Sequence, residues 1–202
     1  MKQTKRFYHG FLRKYHNVYL FLSILVGCGF LMGIVFSNYI DVSDIQHLSS
    51  YLTTINTGVD KYDYFVEQFF LGIVFILFVF LLGTSLIGIP IISFIAFTKG
   101  LQIGFSCALF VLTYQFKGIA GILLTLFPQV IFDLVATFLI SASAIQLSMY
   151  VIYSSSNRER LNFKQLTNTV LNDIFICFLI VLAGSYLKST IGIEFIKLFN
   201  LM

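Results

Sequence analysis

The sequence predicts an all-α, polytopic integral membrane helix bundle with about five transmembrane spans and a broken or re-entrant region around residues 83–128. Three observations predict it. Of the 202 residues, 58% are hydrophobic and only 11% charged, where a soluble domain carries about 25% charged residues. So few polar side chains do not cover a water-facing surface, whereas a bilayer solvates an apolar exterior. Long uncharged windows recur from Val18 to Leu187 without an extended polar insert, so residues 1–202 read as one integral membrane domain. Finally, basic residues gather at the N-terminus and again near residue 160, and these clusters give the windows an orientation.

The first span is placed at about residues 18–38. Tyr15 to Ile40 is free of Lys, Arg, Asp and Glu over 26 residues, about 39 Å as a helix, against a hydrocarbon core of about 30 Å. Lys2, Lys5, Arg6, Arg13 and Lys14 precede it without an acid. A cleaved signal peptide fits less well, because the apolar run exceeds a typical h-region and SNYID offers no small-x-small cleavage site. Residues 41–67 follow as the one substantial polar connection, with five acids against Lys61. The positive-inside rule makes the N-terminus cytoplasmic and this loop external.

Gln68 to Thr98 is uncharged for 31 residues, too long for one straight span and too short for two. Its middle reads GTSLIGIP, and Gly83, Gly88 and Pro90 are helix breakers there. The second span is therefore placed at 68–87 and the third at 90–114. Residues 89–128 leave two courses open: one long tilted helix, or a helix followed by a re-entrant segment after Lys117. The fourth span is placed at 126–153 and the fifth at 169–187, joined by a basic loop, 154–168, that contains Arg158, Arg160 and Lys164. An even number of spans separates the two basic clusters, which puts both in the cytoplasm and the C-terminus outside. Trp is absent, so Tyr15, Tyr19, Tyr39, Tyr114, Tyr150, Tyr153 and Tyr186, near the ends of the runs, supply the interfacial rings.

Ionisable groups inside spans cost roughly 2.5–3.5 kcal/mol each at the helix centre, and so mark candidate functional sites. Lys99, Lys117 and Asp133 qualify. Lys99 either snorkels to the cytoplasmic headgroups or acts within the membrane, and Lys117 fits an external turn. Asp133 lies four residues after Gln129, so the two share a helix face behind Pro128. Three readings stay open for it: a dipole partner near a helix N-terminus, a buried pair with Lys99, or the lining of a small polar cavity. Small-xxx-small pairs, Gly29 with Gly33, Thr84 with Gly88 and Gly100 with Gly104, offer faces for close helix approach. Cys28, Cys107 and Cys177 are odd in number and widely spaced, and read as small buried hydrophobes.

No catalytic constellation emerges. His9, His16 and His47 lie outside the spans, and neither G-x-S-x-G nor a P-loop occurs. Asp133 and Asp173 alone are weak grounds for an aspartyl protease. Neither a cofactor nor a metal site is read from the sequence, and nucleic acid is not an expected partner. The bilayer is.

The run GTSLIGIPIISFIAFTKGLQIGF, Gly83 to Phe105, followed by Pro128-Gln129 and Asp133, resembles the stage II sporulation protein M family of bacterial membrane proteins. The resemblance covers nearly the whole chain in order and hydropathy, and its specificity comes from the central third. The shared Lys-Gly-x-x-x-Gly-Phe element is Lys99, Gly100, Gly104 and Phe105 here. Many members carry Pro-His-Gly-x-x-Glu where this chain has Pro128, Gln129, Val130 and Asp133, so the acid is kept as Asp and the His is lost. That departure argues against proton-relay chemistry.

The resemblance implies about five spans with the N-terminus inside. It also implies a non-enzymatic scaffold in the bacterial cell membrane that anchors or localises peptidoglycan-degrading enzymes, stage II sporulation proteins D and P, at the septal membrane during endospore engulfment. Because relatives also occur in bacteria that do not sporulate, a transport or exporter-accessory role is the alternative. Helix partners, including a second copy of the chain, fit the glycine faces. A cysteine-accessibility scan over residues 112–128 is expected to label position 117 from outside the cell; labelling from the cytoplasm overturns the five-span topology.

Overall fold

Backbone left unpaired in lipid costs several kcal/mol per group, so each uncharged window closes its hydrogen bonds internally as a helix. The computed structural model describes residues 2–39, 61–85, 87–123, 127–157 and 163–192, all helices and short turns. In chain order these are α1 (Lys2–Ser37), α2 (Lys61–Gly83), α3 (Gly88–Tyr114), the short α4 (Phe116–Gly121), α5 (Phe127–Asn157) and α6 (Phe163–Leu187), and a π-helical turn, Lys188–Gly192, extends α6. Five segments are long and apolar enough to cross a membrane: His16–Ser37, Lys61–Gly83, Gly88–Thr113, Val130–Met149 and Leu171–Thr190.

Contacts between the helices fix their directions. Gly100 and Gly104 of α3 lie against Val26 and Phe30 of α1, in the same order along both chains, so these two helices run parallel. α2 reverses into α3 through four residues, and α5 runs antiparallel to α6, with Asp133 beside Lys188 and Ser143 beside Asp173. Five alternating crossings therefore put the entry of α1 and the exit of α6 at opposite ends of the bundle. We call these the near end, where α1 enters and α2 turns into α3, and the far end.

The most extensive contact joins α1 to α3. A Cβ on Gly29 would strike the carbonyl oxygen of Phe97, one on Gly33 that of Leu101, one on Gly100 that of Val26 and one on Gly104 that of Phe30. Two of the three glycine pairs expected to be packing faces therefore meet each other. Their lack of side chains lets the two backbones touch, which suits a medium in which apolar surface gains nothing by leaving lipid. Close backbone approach also permits weak Cα–H···O contacts.

At the centre stands α5, with half of its span buried against at most 22% in any other. Small residues make room for its neighbours: Ala136, Ser141, Ala142, Ser143, Ala144 and Ser148 are all buried. Leu22 of α1, Val79 of α2, Ile92 of α3 and Cys177 of α6 close on it, each almost wholly buried. Cys177 meets the expectation of a small buried hydrophobe, and its Sγ faces the carbonyl of Ala136 at 3.9 Å. Cys28 does not, since it lies on the exposed face of α1, and Cys107 is half-buried.

The break falls where Gly83, Gly88 and Pro90 predict it. α2 stops at Gly83, whose missing side chain admits the Cα of Ala144, 2.8 Å from where a Cβ would stand. Pro90 is the third residue of α3, where its lack of an N–H costs no helical hydrogen bond. Thr84 and Gly88 are not a helix-packing face. Thr84 donates its hydroxyl to Leu81 at 2.7 Å within the turn, and Gly88 leaves space for the Leu82 carbonyl.

After Tyr114 the chain takes the re-entrant course. Gln115, at φ 51°, turns it sharply, and α4 folds back so that Gly118 sits on the Phe110 carbonyl. Lys117 lies in α4. The helices also extend beyond the expected spans. Residues 61–67, expected in the external loop, form the first turns of α2, where Asp63 complements the positive end of the helix dipole. Of the expected loop 154–168, residues 154–157 close α5 and 163–168 open α6. Residues 1, 40–60, 86, 124–126, 158–162 and 193–202 lie outside the described residues.

Gly104→Val is expected to push α1 from α3 and lower the unfolding free energy in detergent by about 2 kcal/mol, within the range of overpacked cores. Gly27→Ala serves as control, because a Cβ there meets nothing within 4 Å. An unchanged unfolding midpoint for Gly104→Val would remove the glycine seam from the account of stability.

Candidate functional site

Charged side chains inside a bilayer fold with whatever neutralises them, so the partners of Asp133, Asp173 and Lys99 define the candidate site. Asp133 lies in the second turn of α5, and the backbone puts Pro128 and Gln129 in the first. Its carboxylate accepts two hydrogen bonds from the Lys188 ammonium, 2.7 Å at Oδ2 and 2.9 Å at Oδ1. Lys99 is not its partner. Lys188, expected in the external tail, is carried back into the bundle because the π-helical turn continues α6 past Leu187. That same turn packs against α2. Three helices thus converge on one polar cluster at the far end.

Asp173 sits on α6 towards the near end and had no expected partner. Its Oδ2 accepts a short hydrogen bond, 2.6 Å, from the Ser143 hydroxyl of α5. One turn further along α5, Ser148 donates to the carbonyl of Ser85 at 2.8 Å and ties α5 to the turn between α2 and α3. The signals were in the sequence: an acid early in the fifth span, and the serine-rich run SASAIQLS in the fourth. Ser143 lies ten residues beyond Asp133, about 15 Å along the helix axis. An aspartyl dyad needs its carboxylates about 3 Å apart. Asp133 and Asp173 do not form one.

Lys99 is the exception among these charges. It lies eleven residues after the start of α3's 26-residue crossing segment and fourteen before its end, about 17 Å from the near end. Side chains of a helix lean towards its N-terminus, which aims this ammonium at the near end. It does not get there. Nζ stops 5.3 Å from the centroid of the Phe75 ring of α2, eight residues from the end of that helix, hence about 12 Å inside. Snorkelling to the headgroups is thus not the arrangement found. A ring face attracts a desolvated cation by about 2 kcal/mol, and among the described residues no carboxylate joins it.

Gly100 and Gly104, beside Lys99, belong to the seam with α1, and the half-buried Phe105 follows them. The Lys-Gly-x-x-x-Gly-Phe element therefore joins two tasks on adjacent faces of one helix: close packing on α1 and a cation towards α2. The family model for stage II sporulation protein M matches residues 22–187, which contain this element, both aspartates and all five crossing segments in whole or in large part. The chain belongs to the stage II sporulation protein M family. No curated protein and no solved structure matches it. Membership and the five apolar helices together make the family member a multi-pass membrane protein.

The Asp133–Lys188 pair is only part-buried, but in lipid removing one partner still leaves the other charge without its neutralising group. Asp133→Asn and Lys188→Met are each expected to lower stability in detergent, and the double variant by less than their sum, leaving a coupling of about 1 kcal/mol. Additive losses in the double-mutant cycle would show that the pair contributes nothing beyond its separate side chains.

Proposed function

We propose that the protein is a non-enzymatic scaffold that anchors or localises membrane-attached peptidoglycan hydrolases at the septal membrane, as in endospore engulfment. By family resemblance the partners are stage II sporulation proteins D and P. The observation that carries this reading is the mid-depth ammonium of Lys99, which meets an aromatic ring and, among the described residues, no carboxylate. A membrane anchor helix with an Asp or Glu at matching depth completes that charge, and a pair formed away from water is worth more than one at the surface.

The alternative is a transport or exporter-accessory subunit, for which Pro90, Lys99 and Asp133 are the motivating residues. Transporter sites are built from broken helices at the midplane. Here the α2–α3 break lies at the near end, and Asp133 is paired at the far end. Between them Leu22, Ile76, Val79, Ile92, Ala96 and Ile140 pack into an apolar core. That arrangement supports a solid anchor over a conduit. The positive-inside rule makes the near end, where the basic N-terminus enters, the cytoplasmic one.

Lys99→Met is expected to leave folding and membrane insertion unchanged and to reduce hydrolase recovered with the tagged protein from detergent at least tenfold. Undiminished recovery refutes the Lys99 docking role, and absence of any hydrolase from the wild-type preparation refutes the scaffold. Asp133→Asn is expected to leave solute and proton flux in vesicles at background, whereas a flux that depends on Asp133 would establish transport.

A further inference from the structure

Gly27 is the exception among the glycines of α1. Gly29 and Gly33 are jammed against α3, but a Cβ on Gly27 would meet nothing within 4 Å, and the residue is exposed. In a helix interior Gly costs about 1 kcal/mol relative to Ala. Here its missing side chain deepens a cavity of about 440 Å³ between α1, α3 and α5. Gly27 and Gly100 line its deep end with Phe138, and Ile122 and Phe127 line the other. The walls are almost wholly apolar. Even Ser23, which faces the cavity, has turned its hydroxyl to the carbonyl of Tyr19 at 2.8 Å.

Length and cross-section identify the occupant. The lining residues of α5 run from Phe127 to Phe138, about 16 Å along the axis, close to half of the hydrocarbon thickness of about 30 Å. The cavity therefore reaches from the far end to mid-depth and covers one leaflet. A partner helix of about 10 Å diameter needs about 1,300 Å³ over that length, more than the whole empty volume of the groove, about 920 Å³. A single hydrocarbon chain is thinner, and its kind is already present at this depth. We propose that the groove is a binding site for one acyl chain of a phospholipid from the far leaflet, held between the α1–α3 seam and α5. The two charged side chains nearest the groove are directed elsewhere: Lys99 faces α2, and Asp133 is paired with Lys188.

The test uses the full-length protein in phosphatidylglycerol vesicles doped with phosphatidylglycerol carrying a diazirine either at the chain terminus or near the headgroup. After photolysis, mass spectrometry is expected to place terminal-probe adducts on α1 near Gly27 and on Phe138, and headgroup-proximal adducts on Ile122 and Phe127. Gly27→Leu fills the groove without meeting backbone and is expected to cut the terminal-probe yield at least tenfold, without lowering the unfolding midpoint. Val130→Trp, from the opposite wall, provides a second block should Gly27→Leu fold poorly. Adducts spread evenly over the exposed faces of the bundle, or a yield that neither variant lowers, would overturn the site. A protein helix cross-linked to the groove in cell membranes in place of lipid would overturn it too.

Discussion

Everything in this bundle depends on how closely two helices approach. In water, α1 and α3 would be driven together by the apolar surface they bury. In lipid that surface gains nothing, and attraction must come from atoms in contact. Gly29, Gly33, Gly100 and Gly104 supply it by removing the side chains that would hold the backbones apart. The parallel pair then forms a wall against which α5 packs with its own small residues, and α2 and α6 close on the remaining faces of α5. Larger residues at the seam would displace α1, and with it Leu22 from the core.

The same constraint sorts the charges. Asp133 and Lys188 neutralise each other where two helices meet at the far end, and Asp173 takes a hydroxyl from Ser143 where they meet towards the near end. Both contacts join α5 to α6, so they lock the register of that antiparallel pair as well as satisfying polar groups. Lys99 belongs to neither. Its position beside Gly100 is dictated by the seam, because turning α3 to bring the lysine elsewhere would also turn the glycines away from α1.

Much of the fold was legible because hydropathy and helix breakers act locally. Gly83, Gly88 and Pro90 ended and restarted helices as their backbone chemistry requires, and the spacing of four in Gly29–Gly33 and Gly100–Gly104 announced two contact faces. Which face met which was not legible, since spacing carries no information about partners, and Thr84–Gly88 has the same spacing yet lies in a turn. The site was read in part for a related reason. Asp133 stood out by its cost in lipid, but its partner lay past the end of the expected fifth span, and only the continued winding of α6 through Lys188–Gly192 brings it back. Asp173 and Ser143 are thirty residues apart on different helices, a pairing that no local pattern encodes.

The mid-depth lysine also bears on how the chain enters the membrane. A segment is admitted from the translocation channel according to its own affinity for lipid, and a lysine at its centre counts against admission by roughly 2.5–3.5 kcal/mol. α3 therefore leaves the channel less readily than α2, whose crossing segment is the more apolar of the two. α1 and α2 are synthesised first, and they carry the two features that offset the penalty: a glycine face for the backbone and Phe75 for the ammonium. Insertion of the third span is thus coupled to the presence of the first two, and the order of the helices along the chain is the order in which the membrane can accept them.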